Sequence, residues 1–231
     1  MKILLIVPSY NEEKSIESVI KDIRDNFSQG DIIVVNDGSI DNTSRIAKAL
    51  GVVVIDLPYN LGIGAAMQTG FLYALKNNYD VAMQFDGDGQ HVAEEIPKIL
   101  KPHTRNGTDI VLGSRFLSES GFTSSIQRKI GSRILSFIVS SLVGKRVTDT
   151  TSGFRVYGIR AIERFSLIYP EDYPEVETLV IAHKMGLSIE EVPSRIIPRM
   201  FGKSSITTME AGYYMIKVVL AIFVDLLKKF D

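Results

Sequence analysis

Two aspartates stand two positions apart in the stretch QFDGDGQH, residues 84–91, which follows an apolar run. At the end of an extended strand, side chains two apart point the same way, so Asp86 and Asp88 can converge on one cation. Carboxylate oxygens without histidine or cysteine partners select a hard ion, Mg²⁺ or Mn²⁺. Gln90 can add an amide oxygen or hold a water of the ion, and His91 is interpreted as a supporting or helix-start residue. The pattern predicts a metal site, with an ordinary Asp-Gly turn as the alternative.

The strands and helices around these aspartates are predicted from the alternation of apolar and amphipathic segments. Apolar runs predict strands at 2–8, 31–37, 52–57, 80–86 and 109–114, and helical periodicity predicts helices at 12–27, 41–50, 62–77 and 91–102. Such alternation is typical of a parallel sheet covered by helices on both faces. Ligands of these sheets bind beyond the carboxyl ends of the strands. Four polar clusters, PSYNEE, NDGSIDNT, DGDGQH and GSR, fall at those ends and predict a single site.

Composition limits the classes of function. The 231 residues are 45% hydrophobic and 23% charged with a net charge of −1, so nothing suggests a nucleic-acid partner. The absence of cysteine excludes disulfides, thiolate zinc sites and a thiol nucleophile. The N-terminal apolar run ILLIVP is too short for a signal-peptide core or a membrane span. A cytoplasmic α/β enzyme is therefore expected.

Two of the clusters suit a nucleotide. Tyr10 can stack on a base while Asn11 and Glu12 form hydrogen bonds, although these two residues could equally cap the next helix. Asp37 lies on a predicted tight turn, where it can bond a base imide or a ribose hydroxyl. The stretch NLGIGAAMQTG, residues 60–70, is a poor dinucleotide fingerprint because it lacks the third glycine and follows the third strand. Its small residues are predicted to permit close approach of a nucleotide or of the D-x-D loop.

In their order and spacing, the motifs PSYNEE, VVNDGSIDNT, NLGIGAAMQTG, QFDGDGQH, GSRF and DTTSGFR resemble family 2 glycosyltransferases, in particular their polyprenyl-phosphate sugar transferase branch. The resemblance runs from residue 2 to about residue 206. It implies a GT-A fold (a Rossmann-like, mainly parallel central sheet flanked by helices), a nucleotide-diphosphate sugar donor and a divalent metal. The nucleotide-sugar site that it implies comprises Pro8, Tyr10, Glu12, Asp37, Asn60, Gly64 and Asp86, and the metal site comprises Asp86, Asp88 and Gln90.

The acceptor decides whether a base is needed. A hydroxyl acceptor needs a carboxylate nearby, for which Glu175 and Glu177 are candidates. A lipid phosphate has a second pKa of about 6 and is already anionic, so it needs cations, preferably arginine forks. The predicted acceptor-binding residues are Arg115, Arg128, Ser152, Arg155, Arg199 and Lys203, and Arg115 and Arg199 join Asp86 and Asp88 as predicted catalytic residues. For any single arginine the alternative is a solvated surface charge.

Two later segments favour a lipid acceptor. Residues 124–144 combine an apolar stripe with a basic start, as interfacial helices do. Residues 209–229 are apolar nearly all round a helix, apart from one narrow polar stripe. Lys217 and Asp225 in that stripe interrupt the run of ~20 apolar residues that a span needs. We expect a catalytic domain at 1–206 and a helix at 207–231 that docks peripherally on the inner face of the cell membrane, self-associates, or binds a small membrane-protein partner.

The leading hypothesis is metal-dependent, inverting transfer of a hexose or N-acetylhexosamine from a nucleotide-diphosphate sugar to polyprenyl (undecaprenyl) phosphate, for cell-surface polysaccharides. A UDP-sugar is favoured by analogy. The alternative is a family 2 enzyme acting on a saccharide hydroxyl in cell-wall or capsule assembly. A sugar-phosphate nucleotidyltransferase would need an early Gly-rich basic loop, which PSYNEE does not supply.

Overall fold

The computed structural model describes residues 1–117, 126–198 and 210–228, without the side chains of 126–129 and 210–216. Arg199 and Lys203 therefore lie outside the described residues, as does the side chain of Arg128. The strands are β1 (Ile3–Ser9), β2 (Gly30–Asn36), β3 (Val53–Asp56), β4 (Val81–Gln84), β5 (Ile110–Ser114), β6 (Arg155–Gly158) and β7 (Ile189–Pro193). The α-helices are α1 (Ile16–Asn26), α2 (Thr43–Ala49), α3 (Ile63–Lys76), α4 (Ile96–Asn106), α5 (Ile126–Val143), α6 (Ile159–Leu167), α7 (Pro174–Lys184) and α8 (Glu210–Leu227).

Within the described ranges, the strands form one seven-stranded sheet in the order β3-β2-β1-β4-β6-β5-β7. Neighbouring strands are parallel except at β6, which runs antiparallel to both β4 and β5. The predicted mainly parallel sheet is confirmed, but the insertion of β6 was not predicted. In this register Gln84 at the end of β4 pairs with Arg155 at the start of β6. The segment that leads into β6 therefore lies on the same edge as the D-x-D loop.

Both faces of the sheet are buried, as continuous apolar strands require. Along β1, Leu4 and Ile6 pack toward α3, α5, α6, α7 and α8, and Leu5 and Val7 pack toward α1, α2 and α4. This division follows from the alternation of successive side chains along a strand. Packing on both faces fixes the strands in place, and with them the loops that follow their carboxyl ends.

Two helices differ from the sequence-based expectation. Residues 91–102 were predicted to be helical, but a 3-10 helix (Ala93–Glu95) comes first and α4 continues to Asn106. The helix stops there because Gly107 takes the left-handed conformation, with φ of 69°. Helix α6 was not predicted, although its buried Ile162 and Phe165 have helical spacing.

Helix α8 docks on α7 through one face. Val218 and Ile222 are buried in the core, and Asp225, which belongs to the predicted polar stripe, is buried with them. The ammonium group of Lys184 on α7 donates to the Asp225 and Leu226 carbonyls at 2.7 and 2.8 Å. A cation at this end satisfies carbonyls that have no partner within the helix.

Candidate active site

The loops after β1 and β2 are joined by hydrogen bonds. The Asn11 N–H donates to Ser39 Oγ at 2.9 Å, and the Ile40 N–H donates to Asn11 Oδ1 at 3.0 Å. The Glu12 N–H donates to Thr43 Oγ1 at 2.8 Å. Asn11 thus links the two loops, with the uncommon φ of 56°, while the Tyr10 ring is 44% exposed beside it. An exposed ring on a fixed loop suits base stacking, which stays a prediction.

The loop after β1 also contacts the D-x-D loop. The Gly87 N–H donates to Pro8 O at 3.3 Å, and a side chain at Gly87 would collide with Ser9. Ser15 Oγ lies 2.7 Å from Glu12 Oε2 and 2.8 Å from Gly87 O. Pro8 therefore contacts the acidic loop directly, and Glu12 is linked to it through Ser15. Both residues were predicted to hold the nucleotide.

Asp37 is buried and organises the start of α3. Its carboxylate accepts the Leu61 N–H at 2.8 Å and the Gly62 N–H at 2.9 Å. Asn60, which is exposed, also accepts the Gly62 N–H through its side-chain oxygen, at 3.1 Å. Each Asp37 oxygen has a second lone pair, so the predicted nucleotide contact is compatible with this role and stays a prediction.

Gly64 was predicted to permit close approach of a nucleotide or of the D-x-D loop, but it packs against a different segment. A Cβ at Gly64 would overlap the backbone of Pro170 and Glu171, which precede α7. The missing side chain therefore allows α3 to pack on that segment, rather than on the D-x-D loop. A role of Gly64 toward the nucleotide has no support from this packing.

Three groups surround the carboxylate of Asp86. Gln84 Nε2 donates to Asp86 Oδ1 at 3.0 Å, and His91 Nε2 lies 3.5 Å from Asp86 Oδ2. A Cβ placed at Gly153 would lie 2.6 Å from Oδ2 and 3.0 Å from Oδ1. Sequence reasoning gave Gln84 and Gly153 no role. A polar residue in an otherwise apolar buried strand was the signal for Gln84, and Gly153 lay within the quoted motif DTTSGFR.

Asp88 and Gln90 complete the acidic loop. Asp88 Oδ1 accepts the Gln90 N–H at 3.0 Å, and Gln90 Nε2 donates to Ile197 O at 3.3 Å. The Ile197 N–H returns a bond to Gln90 O at 2.9 Å, so the segment after β7 is fastened to this loop. That segment leads toward Arg199.

The donor set fits a hard divalent cation. Asp86 and Asp88 are both partly exposed, and Gln90 beside them carries an amide oxygen. Among the described residues no group of three or more His, Cys, Asp or Glu side chains could hold a metal ion. Mg²⁺ characteristically uses one or two carboxylates and completes its shell with water and substrate phosphate, so two carboxylates suffice.

Arg115 lies in the electrostatic field of this site. Its Nε and Nη2 donate to the buried carboxylate of Asp149 at 2.7 and 2.6 Å, and Nη2 donates to Thr151 Oγ1 at 2.7 Å. Burial alone would lower the pKa of Arg115, but Asp149 raises it, with smaller contributions from the charges of Asp86 and Glu175. The guanidinium is thus fixed by Asp149 and Thr151, and the charge of Asp86 acts on it.

Arg155 and Ser152 were predicted to bind the acceptor, but neither side chain is accessible to one. Both are buried, with exposures of 0% and 1%. Arg155 donates to three backbone carbonyls: Ser152 O at 2.7 Å, Thr150 O at 3.2 Å and Glu175 O at 2.5 Å. Ser152 Oγ donates to Gly113 O at 2.6 Å. Their hydrogen bonds stabilise the DTTSG loop and the start of α7, so the role of these two side chains is structural.

The two candidate bases, Glu175 and Glu177, have different surroundings. Burial raises the pKa of Glu175, Arg155 opposes this shift, and the charge of Asp86 adds to it, so Glu175 lies near the acidic site. Glu177 faces α8 instead, where burial and the neighbouring Asp225 raise its pKa to about 7. The Glu177 carboxylate also accepts the Tyr173 N–H at 2.8 Å. Of the two, Glu175 is the one whose pKa the charge of Asp86 raises.

Helices α5 and α8 are in contact, and each leaves apolar side chains exposed. These are Ile130, Ile134 and Phe137 on α5 and Leu220, Phe223, Val224 and Leu227 on α8, which we call the α5 and α8 apolar stripes. In the ranges that the structure covers, neither these helices nor any other is long and apolar enough to span a membrane.

The sheet with an acidic loop at the carboxyl end of β4 defines a GT-A glycosyltransferase. The chain belongs to glycosyl transferase family 2, whose sequence model matches residues 4–167. The predicted family, fold and enzyme class are therefore confirmed.

Relatives match nearly the whole chain. A UDP-N-acetylglucosamine–dolichyl-phosphate N-acetylglucosaminyltransferase from Methanococcus voltae is 34% identical over 231 residues, covering 91% of this chain and 92% of that protein. An undecaprenyl-phosphate mannosyltransferase from Micrococcus luteus is 30% identical over 228 residues, covering 94% of this chain and 93% of its own length. The similarity therefore extends well beyond residue 167 into the part that contains α7 and β7.

A solved structure shares the fold. Glucosyl-3-phosphoglycerate synthase from Mycobacterium tuberculosis, in complex with Mn²⁺, UDP and glucosyl-3-phosphoglycerate, superposes with a TM-score of 0.71. Its sequence identity is 19%, and the match covers 97% of this chain and 79% of that one.

Proposed function

We propose that this glycosyltransferase moves a sugar from a nucleotide-diphosphate donor, with a UDP-sugar favoured, to polyprenyl phosphate with inversion. The observation that carries the acceptor assignment is the pair of apolar stripes on α5 and α8. A polyprenyl chain and the membrane that contains it offer an apolar partner for such surfaces, whereas a soluble saccharide does not. The names of the two relatives support the same acceptor class.

The donor would lie across the carboxyl edge of the sheet. Tyr10 would stack on the base, and Asp86, Asp88 and Gln90 would hold Mg²⁺ or Mn²⁺ at the diphosphate. The ion supplies Lewis-acid neutralisation of the departing nucleoside diphosphate.

Arg115 would orient the acceptor phosphate beside the donor. An oxygen of that phosphate attacks the anomeric carbon and forms the new C–O bond, while the bond from this carbon to the diphosphate oxygen breaks on the opposite side. The configuration therefore inverts, and the nucleoside diphosphate leaves with the electron pair. The acceptor oxygen is already anionic near neutral pH, so no protein base is required.

Peripheral docking on the inner face of the cell membrane would bring the site to its lipid. The α5 and α8 apolar stripes would enter the interface, with residues 207–231 as the docking helix. A second copy or a small membrane protein could take the same place on α8. The exposed Phe137 and Phe223 are the side chains whose burial such docking would favour most.

A second candidate, transfer to a saccharide hydroxyl, is favoured by Glu175. A carboxylate whose pKa is raised by burial and that feels the charge of Asp86 suits a general base. In that case Arg115 would bind the donor diphosphate instead.

The deciding experiment offers radiolabelled UDP-glucose, UDP-N-acetylglucosamine and GDP-mannose to the protein with undecaprenyl phosphate vesicles and Mn²⁺ or Mg²⁺. The expected result is a labelled, organic-extractable lipid from one donor, which disappears when the metal is chelated. If no donor gives a labelled lipid and the sugar is instead transferred to an oligosaccharide, the proposal is overturned.

A further inference from the structure

We propose that His91 is a positioning residue that holds Asp86 ready for the metal ion. The inference rests on the proposed metal site and adds a role for a side chain that does not itself bind the ion. Its starting point is that one imidazole contacts both the backbone and the carboxylate of Asp86.

The two contacts determine the tautomer. The Asp86 N–H donates to His91 Nδ1 at 3.0 Å, so Nδ1 contributes its lone pair. The proton of the neutral ring is then on Nε2, which lies 3.5 Å from Asp86 Oδ2. This distance is longer than that of an N–H···O hydrogen bond, so the contact between Nε2 and the carboxylate is electrostatic. The same ring therefore sets the chain direction at residue 86 and draws its side chain toward Nε2.

The ring is held independently of any ligand. His91 is 5% exposed and stacks on Phe154, with ring centroids 4.6 Å apart and an interplanar angle of 16°. Phe85 meets the ring edge-on at 5.3 Å and 86°, and both phenylalanines are fully buried. A ring packed in this way transmits its position to Asp86.

Two further groups close the cradle around the Asp86 carboxylate. Gln84 donates to Oδ1 at 3.0 Å from β4, and Gly153, just before β6, lacks the Cβ that would collide with both carboxylate oxygens. The side chain of Asp86 remains 28% exposed, which leaves it accessible to a ligand. Groups that orient a ligating carboxylate in this way typically change metal affinity by about 10- to 100-fold when removed.

The test measures Mn²⁺ binding to the full chain in the presence of UDP, by the loss of the free-Mn²⁺ EPR signal. His91→Phe keeps an aromatic ring between Phe85 and Phe154 and removes both nitrogens, so we expect Mn²⁺ affinity to fall about 10- to 100-fold. His91→Gln offers a side-chain N–H again and should recover part of the loss. His183→Gln, an exposed histidine on α7, is the matched control and should bind as the wild type does.

A loss of affinity in His91→Phe with partial recovery in His91→Gln would establish the positioning role. Wild-type affinity in a folded His91→Phe would overturn it and leave the proposed function intact. No Mn²⁺ binding by the wild type would overturn both. Should His91→Phe fail to fold, Gln84→Met tests the same cradle from the opposite side, because it removes the donor to Oδ1 at nearly equal volume. Unchanged Mn²⁺ affinity in Gln84→Met would overturn the proposal that these groups position the Asp86 carboxylate.

Discussion

Arg115 and Asp149 form a two-pronged ion pair in which Nε lies 2.7 Å from Oδ2 and Nη2 lies 2.6 Å from Oδ1. The carboxylate is fully buried while the arginine side chain is 20% exposed, so Asp149 anchors a cation that remains partly accessible. The pair fixes the plane of the guanidinium, so under the proposed function it would also fix the direction in which the acceptor phosphate is bound.

Arg115→Lys should therefore damage acceptor use more than donor use. Lysine keeps the charge but cannot make the two-pronged contact. We expect the KM for undecaprenyl phosphate to rise about tenfold, the equivalent of ~1.4 kcal/mol. Binding of the sugar nucleotide, measured by calorimetry, should stay near the wild-type value. Equal loss of both affinities would contradict the assignment of Arg115 to the acceptor.

Asp88→Ala should abolish transfer, because one of the two predicted carboxylate ligands is lost. Asp88→Asn keeps the side-chain volume and the oxygen that accepts the Gln90 N–H at 3.0 Å, so it separates the charge from the loop structure. Both variants should lose metal-dependent activity, measured as labelled lipid at several Mn²⁺ concentrations. Activity that survives with its metal dependence unchanged would show that the ion is held elsewhere.

Glu175→Gln distinguishes the two acceptor classes. If the acceptor is a lipid phosphate, no base is needed and the rate should change only a few-fold. If a hydroxyl is the acceptor, loss of the general base should lower kcat by about 10²- to 10⁴-fold. Initial rates across pH 5.5 to 9 should also keep their profile in the variant under the lipid-phosphate mechanism, since Glu175 then takes no part in proton transfer.

The carboxyl groups of Glu177 and Asp225 predict a pH dependence of stability. Glu177 has an ordinary pKa of 4.5, and burial beside Asp225 raises it to about 7 in the folded chain. Between these values the folded state binds more protons than the unfolded state, so the free energy of unfolding falls as pH rises through this window. Asp172 adds to the shift, while Lys228 donates to Asp225 Oδ1 at 2.8 Å from the same end of α8.

Glu177→Gln should remove this part of the dependence. Thermal unfolding from pH 4.5 to 8 should show a shallower decline in Tm for the variant than for the wild type. Glu163→Gln is a control in which the slope should be unchanged, because Glu163 is exposed on α6. The same slope in Glu177→Gln and the wild type would contradict a raised pKa at Glu177.

Phe137→Ser should weaken membrane association. Phe137 is 74% exposed on α5, and burying such a side chain is worth about 1.5–3 kcal/mol, so co-sedimentation with anionic vesicles should fall about tenfold. Leu167→Ser is the matched control, since Leu167 is 75% exposed at the end of α6, which packs on α3, and is not part of the α5 and α8 apolar stripes. An equal loss in both variants would argue against these stripes as the docking surface.

The edge of the sheet that carries the candidate site could be predicted from local sequence. The D-x-D aspartates, Tyr10 and Asp37 follow apolar strands directly, and the carboxyl ends of parallel strands share one edge of a sheet. The same argument placed Arg115 at the end of a strand, and it directly follows β5. The roles of Gln84 and Gly153 could not be found in this way, because each acts on Asp86 through a contact that depends on which strands are neighbours.

By itself, the sequence determined the alternation of strands and helices, the edge on which the acidic loop lies and the family. These properties follow from hydrophobic periodicity and from motifs that are short and contiguous. The tertiary structure alone decided that β6 runs antiparallel between β4 and β5, which brings Gly153 against Asp86 and buries Arg155. The physical reason is that strand pairing is a long-range choice among apolar segments, so the burial of Arg155 and the cradle around Asp86 exist only once that pairing is made.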